Sequence, residues 1–146
     1  MGIKIDSSYN SVKIKYVNAK EERILFKGYT IRRERYKGEA DLKEIKISEG
    51  IKGIGVSAFE NCSSLTTVTL PSSLKRIEWN SFAGCSALHE IVLPASLDEV
   101  DCWFDGRGVA KLTLSNPSSD ELIKELREGY AMDFYYKGEP RGDHWD

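Results

Sequence analysis

The chain has 146 residues, of which 40% are hydrophobic and 30% charged, and its formal net charge is −2. This length suits one domain with a single continuous core, and the near-neutral charge gives no general attraction for nucleic acid or an anionic membrane. No apolar run is long enough to cross a membrane, and the three cysteines form no CxxC pair, which argues against a disulfide framework and a zinc site.

The N-terminal part, residues 1–41, is predicted to cap the fold. Residues 1–9 lack the basic and apolar stretches of a signal peptide, so we expect a cytoplasmic protein, or a cell-surface one if the chain is a fragment of a longer protein. Apolar residues alternate with polar ones on both sides of the segment 7–10, which predicts a β-hairpin with its turn there. Residues 19–41 are interpreted as a degenerate repeat, because three of its residues stand 23 positions before their equivalents in the first full copy: Ile24, Ile31 and Tyr36 before Ile47, Ile54 and Phe59.

Residues 42–108 contain three copies of a 23-residue repeat, the third of them two residues short. Each copy begins with apolar residues at +0, +3 and +5: Leu42, Ile45, Ile47, Leu65, Val68, Leu70, Leu88, Ile91 and Leu93. Matches follow at +9, +12, +17 and +20: Ile51, Leu74, Leu97, Ile54, Ile77, Val100, Phe59, Phe82, Cys62 and Cys85. One such unit cannot bury its own apolar face, so the copies must stack with their first segments as parallel strands.

Residues 109–137 are predicted to cover the other end of the core. Val109 restarts the apolar pattern 21 residues after Leu88. The segment 118–121, with the sequence SSDE, is a capping box that predicts a helix, and Gly129 is its expected end. Three alternating apolar residues then predict a last parallel strand: Met132, Phe134 and Tyr136. The polar residues 138–146 are expected to form a loose tail.

The second copy has the sequence LTTVTLPSSLKRIEWNSFAGCSA, from Leu65 to Ala87. It resembles the BspA-type leucine-rich repeat, whose consensus is roughly LxxIxLPxSLxxIgxxAFxxCxx, and the resemblance extends over about residues 42–108. The resemblance implies a β-rich α/β repeat fold, a short solenoid of stacked parallel strands, in a family used mainly for binding proteins or surfaces. With the two ends included, we expect one domain, with an N-terminal hairpin cap and a C-terminal helix-strand cap.

The candidate binding site is the solvent side of the stacked strands, formed by positions +2 and +4. The residues there are Glu21, Arg23, Glu44, Lys46, Thr67, Thr69, Glu90, Val92, Lys111 and Thr113. An ordinary solvated sheet would have the same composition, so the binding interpretation and this plainer one stand side by side. Five strands at about 4.8 Å spacing, each six residues long at about 3.3 Å per residue, present a face of roughly 500 Å². A standard interface buries about 800 Å² on each partner. Tight binding would therefore need adjoining loops or caps as well.

Two tryptophans, Trp79 and Trp103, fall at neighbouring positions of successive copies, outside the inward rows. They are candidate anchors for a partner, because tryptophan is enriched at binding hot spots; the alternative is that they pack on each other and on the turns. Cys62 and Cys85 occupy equivalent positions one copy apart, close enough after stacking for a disulfide, but we expect buried, reduced thiols.

No nucleophile motif or phosphate-binding loop accompanies the two histidines, so we expect no enzyme, no catalytic residue, no metal and no cofactor. The sequence favours a protein-protein interaction module that binds a protein partner through the sheet face and adjoining loops. We expect a monomer or weak homodimer that binds neither nucleic acid nor a membrane. A narrower hypothesis is a bacterial immunity protein or antitoxin that covers a toxin. The alternative is an adhesive or structural fragment of a larger cell-surface leucine-rich-repeat protein.

Overall fold

The computed structural model describes residues 9–100, 111–114, 133–136 and 139–140, and beyond residue 98 it describes the backbone alone. These residues form twelve strands and no helix. The strands are β1 (Tyr9–Tyr16), β2 (Glu21–Lys27), β3 (Thr30–Ile31), β4 (Leu42–Ile47), β5 (Gly53–Ile54), β6 (Thr67–Thr69), β7 (Arg76–Ile77), β8 (Glu90–Leu93), β9 (Glu99–Val100), β10 (Lys111–Leu114), β11 (Asp133–Tyr136) and β12 (Glu139–Pro140).

The strands form three four-stranded sheets, with the orders β2-β1-β4-β6, β12-β11-β10-β8 and β3-β5-β7-β9. Strands β6 and β8 also lie close together, so the first two sheets follow one another along one side of the molecule. The third sheet consists of two-residue strands, one from each copy, which lie 23 residues apart in their parallel pairing.

The repeat period reappears as the offset between paired strands. Strand β4 pairs in parallel with β6, with Ile45 opposite Val68, an offset of 23 residues. Strand β8 pairs in parallel with β10, with Ile91 opposite Leu112, an offset of 21 residues. The shortened third copy therefore keeps its strand in register, as the sequence predicts.

The core is built from the inward positions of each copy. All but one of the described +0, +3 and +5 residues are buried, and so are the described +9, +12, +17 and +20 residues. The exception is Leu70, which is only partly buried although the repeat pattern predicts a core position. Aromatic rings at +17 stack from copy to copy in the order Tyr36, Phe59 and Phe82.

The predicted placement of the N-terminal hairpin is wrong. Tyr9 and Asn10, which the sequence assigns to a turn, begin β1, and β1 is paired on both edges, with β2 and with β4. The hairpin is formed by β1 and β2 instead, and its turn contains Ala19 with a φ of 68°. A short turn after Tyr16 returns the chain antiparallel to β1, so β2 lies at the edge of the sheet.

Only the second half of the segment 19–41 pairs with the first full copy as a preceding copy would. Ile31 pairs with Ile54 as a preceding copy should, and Tyr36 stacks on Phe59. Ile24, however, is not the neighbour of Ile47, because Val12 of β1 lies between them and pairs with both.

At the C-terminal end, β11 pairs in parallel with β10, with Phe134 opposite Leu112. Strand β12 pairs antiparallel with β11, although the sequence places Glu139–Pro140 in a loose tail. The predicted helix after the segment 118–121 lies outside the described residues, and so does Trp103.

Candidate functional site

The candidate site is the exposed face of the sheets that contain β2, β1, β4, β6 and β8. Alternation along β4 creates it: Ile45 and Ile47 are buried, whereas Lys46 between them is exposed. The same alternation exposes Thr67 and Thr69 on the two sides of the buried Val68. The antiparallel strands obey the same rule, because side chains alternate between faces in any strand.

Strand pairing arranges the exposed side chains in two rows that cross the strands. The Arg23 row consists of Arg23, Lys13, Lys46 and Thr69 on paired strands, followed by Val92, which lies one repeat after Thr69 on the nearby β8 and lines the same groove. The Glu21 row consists of Glu21, Thr67 and the half-buried Lys15 and Glu44 on paired strands, followed by Glu90 one repeat after Thr67. On β10, Thr113 and Lys111 continue the two rows in register, opposite Val92 and Glu90.

Two shallow grooves lie on this face. The first, of about 510 Å³, spans β2, β1, β4 and β6, and it is lined by Lys13, Ile14, Lys15, Glu21, Glu22, Arg23, Glu44, Ile45, Lys46, Thr67 and Thr69. The second, of about 410 Å³, lies between β6 and β8, and it is lined by Thr66, Thr67, Val68, Thr69, Leu70, Glu90, Val92 and Pro94. The first groove is therefore charged, and the second is lined by threonine and apolar residues with one carboxylate.

The charges in the first groove are distributed unevenly between the rows. In the Glu21 row, Lys15 lies between Glu21 and Glu44 on the neighbouring strands. In the Arg23 row, Lys13 lies between two further cations, Arg23 and Lys46. Like charges directly opposite each other on neighbouring strands destabilise a sheet.

No ion pair within 4.0 Å involves these three cations in the described part of the chain, where the salt bridges are at other positions. Glu22, which lies next to Arg23 in sequence, is bound by Lys20 at 2.7 Å and by the Tyr16 hydroxyl at 2.9 Å. Hydrogen bonds from Lys20 and then Tyr16 lower the pKa of Glu22, while burial and the bond to Glu22 raise the pKa of Tyr16 to about 12. The carboxylate that is nearest to Arg23 in sequence is therefore already bound to Lys20 and Tyr16.

Most of the sequence-predicted site residues come together on this face. Seven of them are exposed in the two rows, among them Val92, which is 46% exposed. The other six are Glu21, Arg23, Lys46, Thr67, Thr69 and Glu90. Glu44 is half-buried, and the backbone register places Lys111 and Thr113 in the same rows. Trp79 is 57% exposed, but it follows β7 of the third sheet and lines neither groove.

Two residues of the face, Lys13 and Lys15, are not among the sequence-predicted site residues. Their alternation with the buried Val12 and Ile14 was readable as a strand with lysines on its outer side. The sequence instead placed Glu21 and Arg23 directly beside β4, which is wrong because β1 lies between them.

Both described cysteines, Cys62 and Cys85, are buried. The Cys62 thiol donates a hydrogen bond to the Tyr36 carbonyl at 3.2 Å, and the Cys85 thiol donates to the Phe59 carbonyl at 3.1 Å. Each thiol thus binds the backbone of the preceding copy. In the described ranges, no three His, Cys, Asp or Glu side chains converge as a metal site would require.

Comparison with known proteins places the chain in a family. A family model for the BspA type leucine rich repeat region matches residues 5–117 in six copies. The chain belongs to the BspA-type leucine-rich-repeat family. Family membership supports a protein-interaction or adhesive repeat module, and members of such families are typically not enzymes.

Solved structures of bacterial proteins have a similar fold, two of them described as leucine-rich. A leucine-rich repeat protein from Bacteroides capillosus is 25% identical, with a TM-score of 0.56 over 71% of this chain and 72% of that one. A leucine rich cell surface protein from Faecalibacterium prausnitzii is 21% identical, with a TM-score of 0.63 over 91% of this chain and 40% of that one. The pneumococcal vaccine antigen PcpA is 14% identical, with a TM-score of 0.52 over 86% of this chain and 48% of that one.

This family member therefore spans less than half the length of the last two proteins. No curated protein sequence matches it. Among the residues that the structure describes, there is no helix of the length and apolarity that a membrane span requires.

Proposed function

We propose that the chain is a non-enzymatic module that binds one protein partner through the two rows of the sheet face and the loops beside them. The observation that carries the proposal is the continuous exposed face with its two adjoining grooves, whose volumes are about 510 Å³ and about 410 Å³. Side chains on paired strands are held at fixed spacing, so a partner meets a preorganised surface and loses little binding free energy in ordering it.

The size of the face sets what else the partner must contact. A standard interface buries about 800 Å² on each side, more than a few short strands provide. Exposed apolar residues beside the face can supply the remainder, among them Tyr9 and Leu25 on β1 and β2. We therefore propose a partner that covers the strands and reaches over the N-terminal hairpin.

The test is affinity capture from the source organism with the purified chain beside a Thr67→Arg/Glu90→Arg variant. Both positions are exposed in the Glu21 row, so the long side chains should block the face without entering the core. A matched control, Ser63→Arg/Glu39→Arg, places the same new side chains at exposed positions outside both grooves. Circular dichroism melting of all three proteins should give similar midpoints.

A stoichiometric protein that the wild type and the control capture, and that the face variant loses, supports the proposal and identifies the function through that protein. A toxin captured in this way would support the immunity or antitoxin version, for which the structure offers no separate observation. Equal capture by all three proteins would show that the partner does not bind at the sheet face.

A second proposal, that the chain is an adhesive or structural fragment of a larger cell-surface protein, draws on one comparison. The Faecalibacterium prausnitzii cell surface protein contains a region of this fold within a chain of which the match covers 40%. The full open reading frame discriminates the proposals. Further repeats and a secretion leader upstream would favour the surface fragment, whereas a reading frame confined to this chain would contradict it.

A further inference from the structure

The three cations that begin the Arg23 row lie on adjacent strands at paired positions, where their positive charges repel one another. Lys13 pairs with Arg23 on one side and with Lys46 on the other, in a sheet whose strands lie about 4.8 Å apart. The row thus holds three positive charges within about 10 Å, comparable with the Debye length of about 8 Å at physiological salt. The neighbouring row carries Glu21 and Glu44, so the uninterrupted run of positive charge is confined to the Arg23 row.

The fold itself does not require a cation at this position. In the next two copies, the residues equivalent to Lys46 are Thr69 and Val92, and both occupy the same exposed row. Threonine and valine also suit strands better than lysine does. The cluster therefore weakens the sheet locally where a neutral residue would fit.

We propose that the Arg23 row binds an acidic segment of the protein partner, with carboxylates over Arg23, Lys13 and Lys46 and an apolar residue over Thr69 and Val92. This inference rests on the proposed function and specifies the chemistry of the partner. The order of the row dictates the polarity of the segment, because its charged part is at the hairpin and its small and apolar part is at β6 and β8. A bound carboxylate would also remove the repulsion among the three cations, which is a gain that a neutral partner does not provide.

The test uses the full chain and a short fluorescein-labelled peptide of glutamates followed by leucines, titrated by fluorescence anisotropy at low salt. A matched peptide with glutamine in place of glutamate measures binding without the charge. We expect the glutamate peptide to bind at least about tenfold more tightly, and this advantage to shrink as salt is raised. Equal binding of the two peptides, or binding of neither, would overturn the proposal.

Two double variants with the same change of net charge locate the effect. Lys13→Thr/Lys46→Thr should weaken binding of the glutamate peptide about tenfold, while its melting temperature stays equal to that of the wild type or rises, because the repulsion is relieved. Lys52→Thr/Lys75→Thr removes two exposed lysines that line neither groove, and should leave the affinity unchanged. Equal loss of affinity in both variants would contradict a localised site, and a clear fall in melting temperature in the first would show that the lysines are structural.

A single-stranded oligonucleotide of matched charge serves as a competitor. If it displaces the glutamate peptide at a lower concentration than unlabelled peptide does, the row binds nucleic acid and the proposal is wrong. The affinity capture separates this inference from the function on which it rests. A protein that Thr67→Arg/Glu90→Arg loses but Lys13→Thr/Lys46→Thr retains would refute the acidic segment and leave the sheet-face function intact.

Discussion

The rings of Phe59 and Phe82 lie nearly parallel, with their centroids 5.2 Å apart and their planes 6° apart. Tyr36 stacks on the other side of Phe59 with the same separation and angle. The separation is close to the spacing of about 4.8 Å between neighbouring strands, so the aromatic column rises in step with the stacked copies. Phe59, in the first full copy, thus connects Tyr36 of the degenerate repeat to Phe82 of the second copy through the core.

We expect Phe59→Ala to destabilise the protein by about 3–5 kcal/mol, as removal of a buried phenylalanine typically does. The ring is fully buried, and its loss leaves a cavity between two other rings. Urea denaturation followed by circular dichroism measures the free energy of unfolding. Phe59→Leu is the control, because it retains most of the volume and should cost clearly less. A cost below about 1 kcal/mol for the alanine variant would contradict the role of the column.

The regular copies could be predicted from the sequence because an apolar residue recurs at each inward position in successive copies. Leu65 and Leu88 are both fully buried, and Thr67 and Glu90 are both exposed, as the 23-residue period requires. A single strand carries no such redundancy. Leu70 shows the limit even within a copy, since the pattern marks it as core and it is only partly buried.

The hairpin could not be placed because alternation indicates a strand but not its neighbour. Val12 and Ile14 have the same pattern whether their partner precedes or follows them. The strand order, with β1 between β2 and β4, depends on the whole sheet. The cationic part of the Arg23 row arises only from that order, because Lys13 and Arg23 belong to β1 and β2 and Lys46 belongs to the first full copy.

Gly84 occupies a backbone conformation that other residues rarely adopt, with a φ of 72°. We expect Gly84→Ala to cost about 1–2 kcal/mol or more, because a Cβ disfavours this conformation and would also contact the Asn61 side chain. Asn61 lies one copy earlier with a φ of 61°, so the turn recurs with a different residue. Thermal melting measures the loss.

The variants Asn61→Gly and Asn61→Gly/Gly84→Ala separate the two causes. Asn61→Gly alone should be nearly neutral, since glycine accepts the positive φ. In the double variant, the contact between the two side chains is gone and only the backbone cost at Gly84 remains. If Gly84→Ala melts like the wild type, the left-handed turn is not required at this position.

Glu49 links one copy to the next through Ser72. One carboxylate oxygen accepts a hydrogen bond from the Ser72 backbone N–H and the other accepts one from the Ser72 hydroxyl, each at 2.8 Å. The backbone bond, followed by the hydroxyl bond, lowers the pKa of Glu49 from its ordinary value of 4.5. Because the folded-state pKa is the lower one, this stabilisation is present above about pH 4.5 and is lost as the pH falls through the folded-state value.

We therefore expect the wild type to lose more stability than Glu49→Gln when the pH is lowered from about 6 to about 3. The difference should stay below about 1 kcal/mol, because the carboxylate is exposed to solvent and screened. Melting temperatures of both proteins across this range provide the measurement. Glu39→Gln, at an exposed carboxylate without a side-chain hydrogen bond in the described ranges, is the control for the loss of one negative charge. Parallel curves for the wild type and Glu49→Gln would show that the Ser72 bonds contribute nothing.

Cys62 and Cys85 use their thiol hydrogens in bonds to the carbonyls of Tyr36 and Phe59, and a disulfide would leave both carbonyls without these donors. We expect both to remain reduced and to react with iodoacetamide only after unfolding, since both side chains are buried. The experiment is mass spectrometry of a Cys102→Ser variant, alkylated under native and denaturing conditions without reductant. The native protein should remain unmodified over the time in which the denatured protein gains two labels. A native mass lower by two hydrogens, with no labelling even after denaturation, would instead show that the two cysteines are joined.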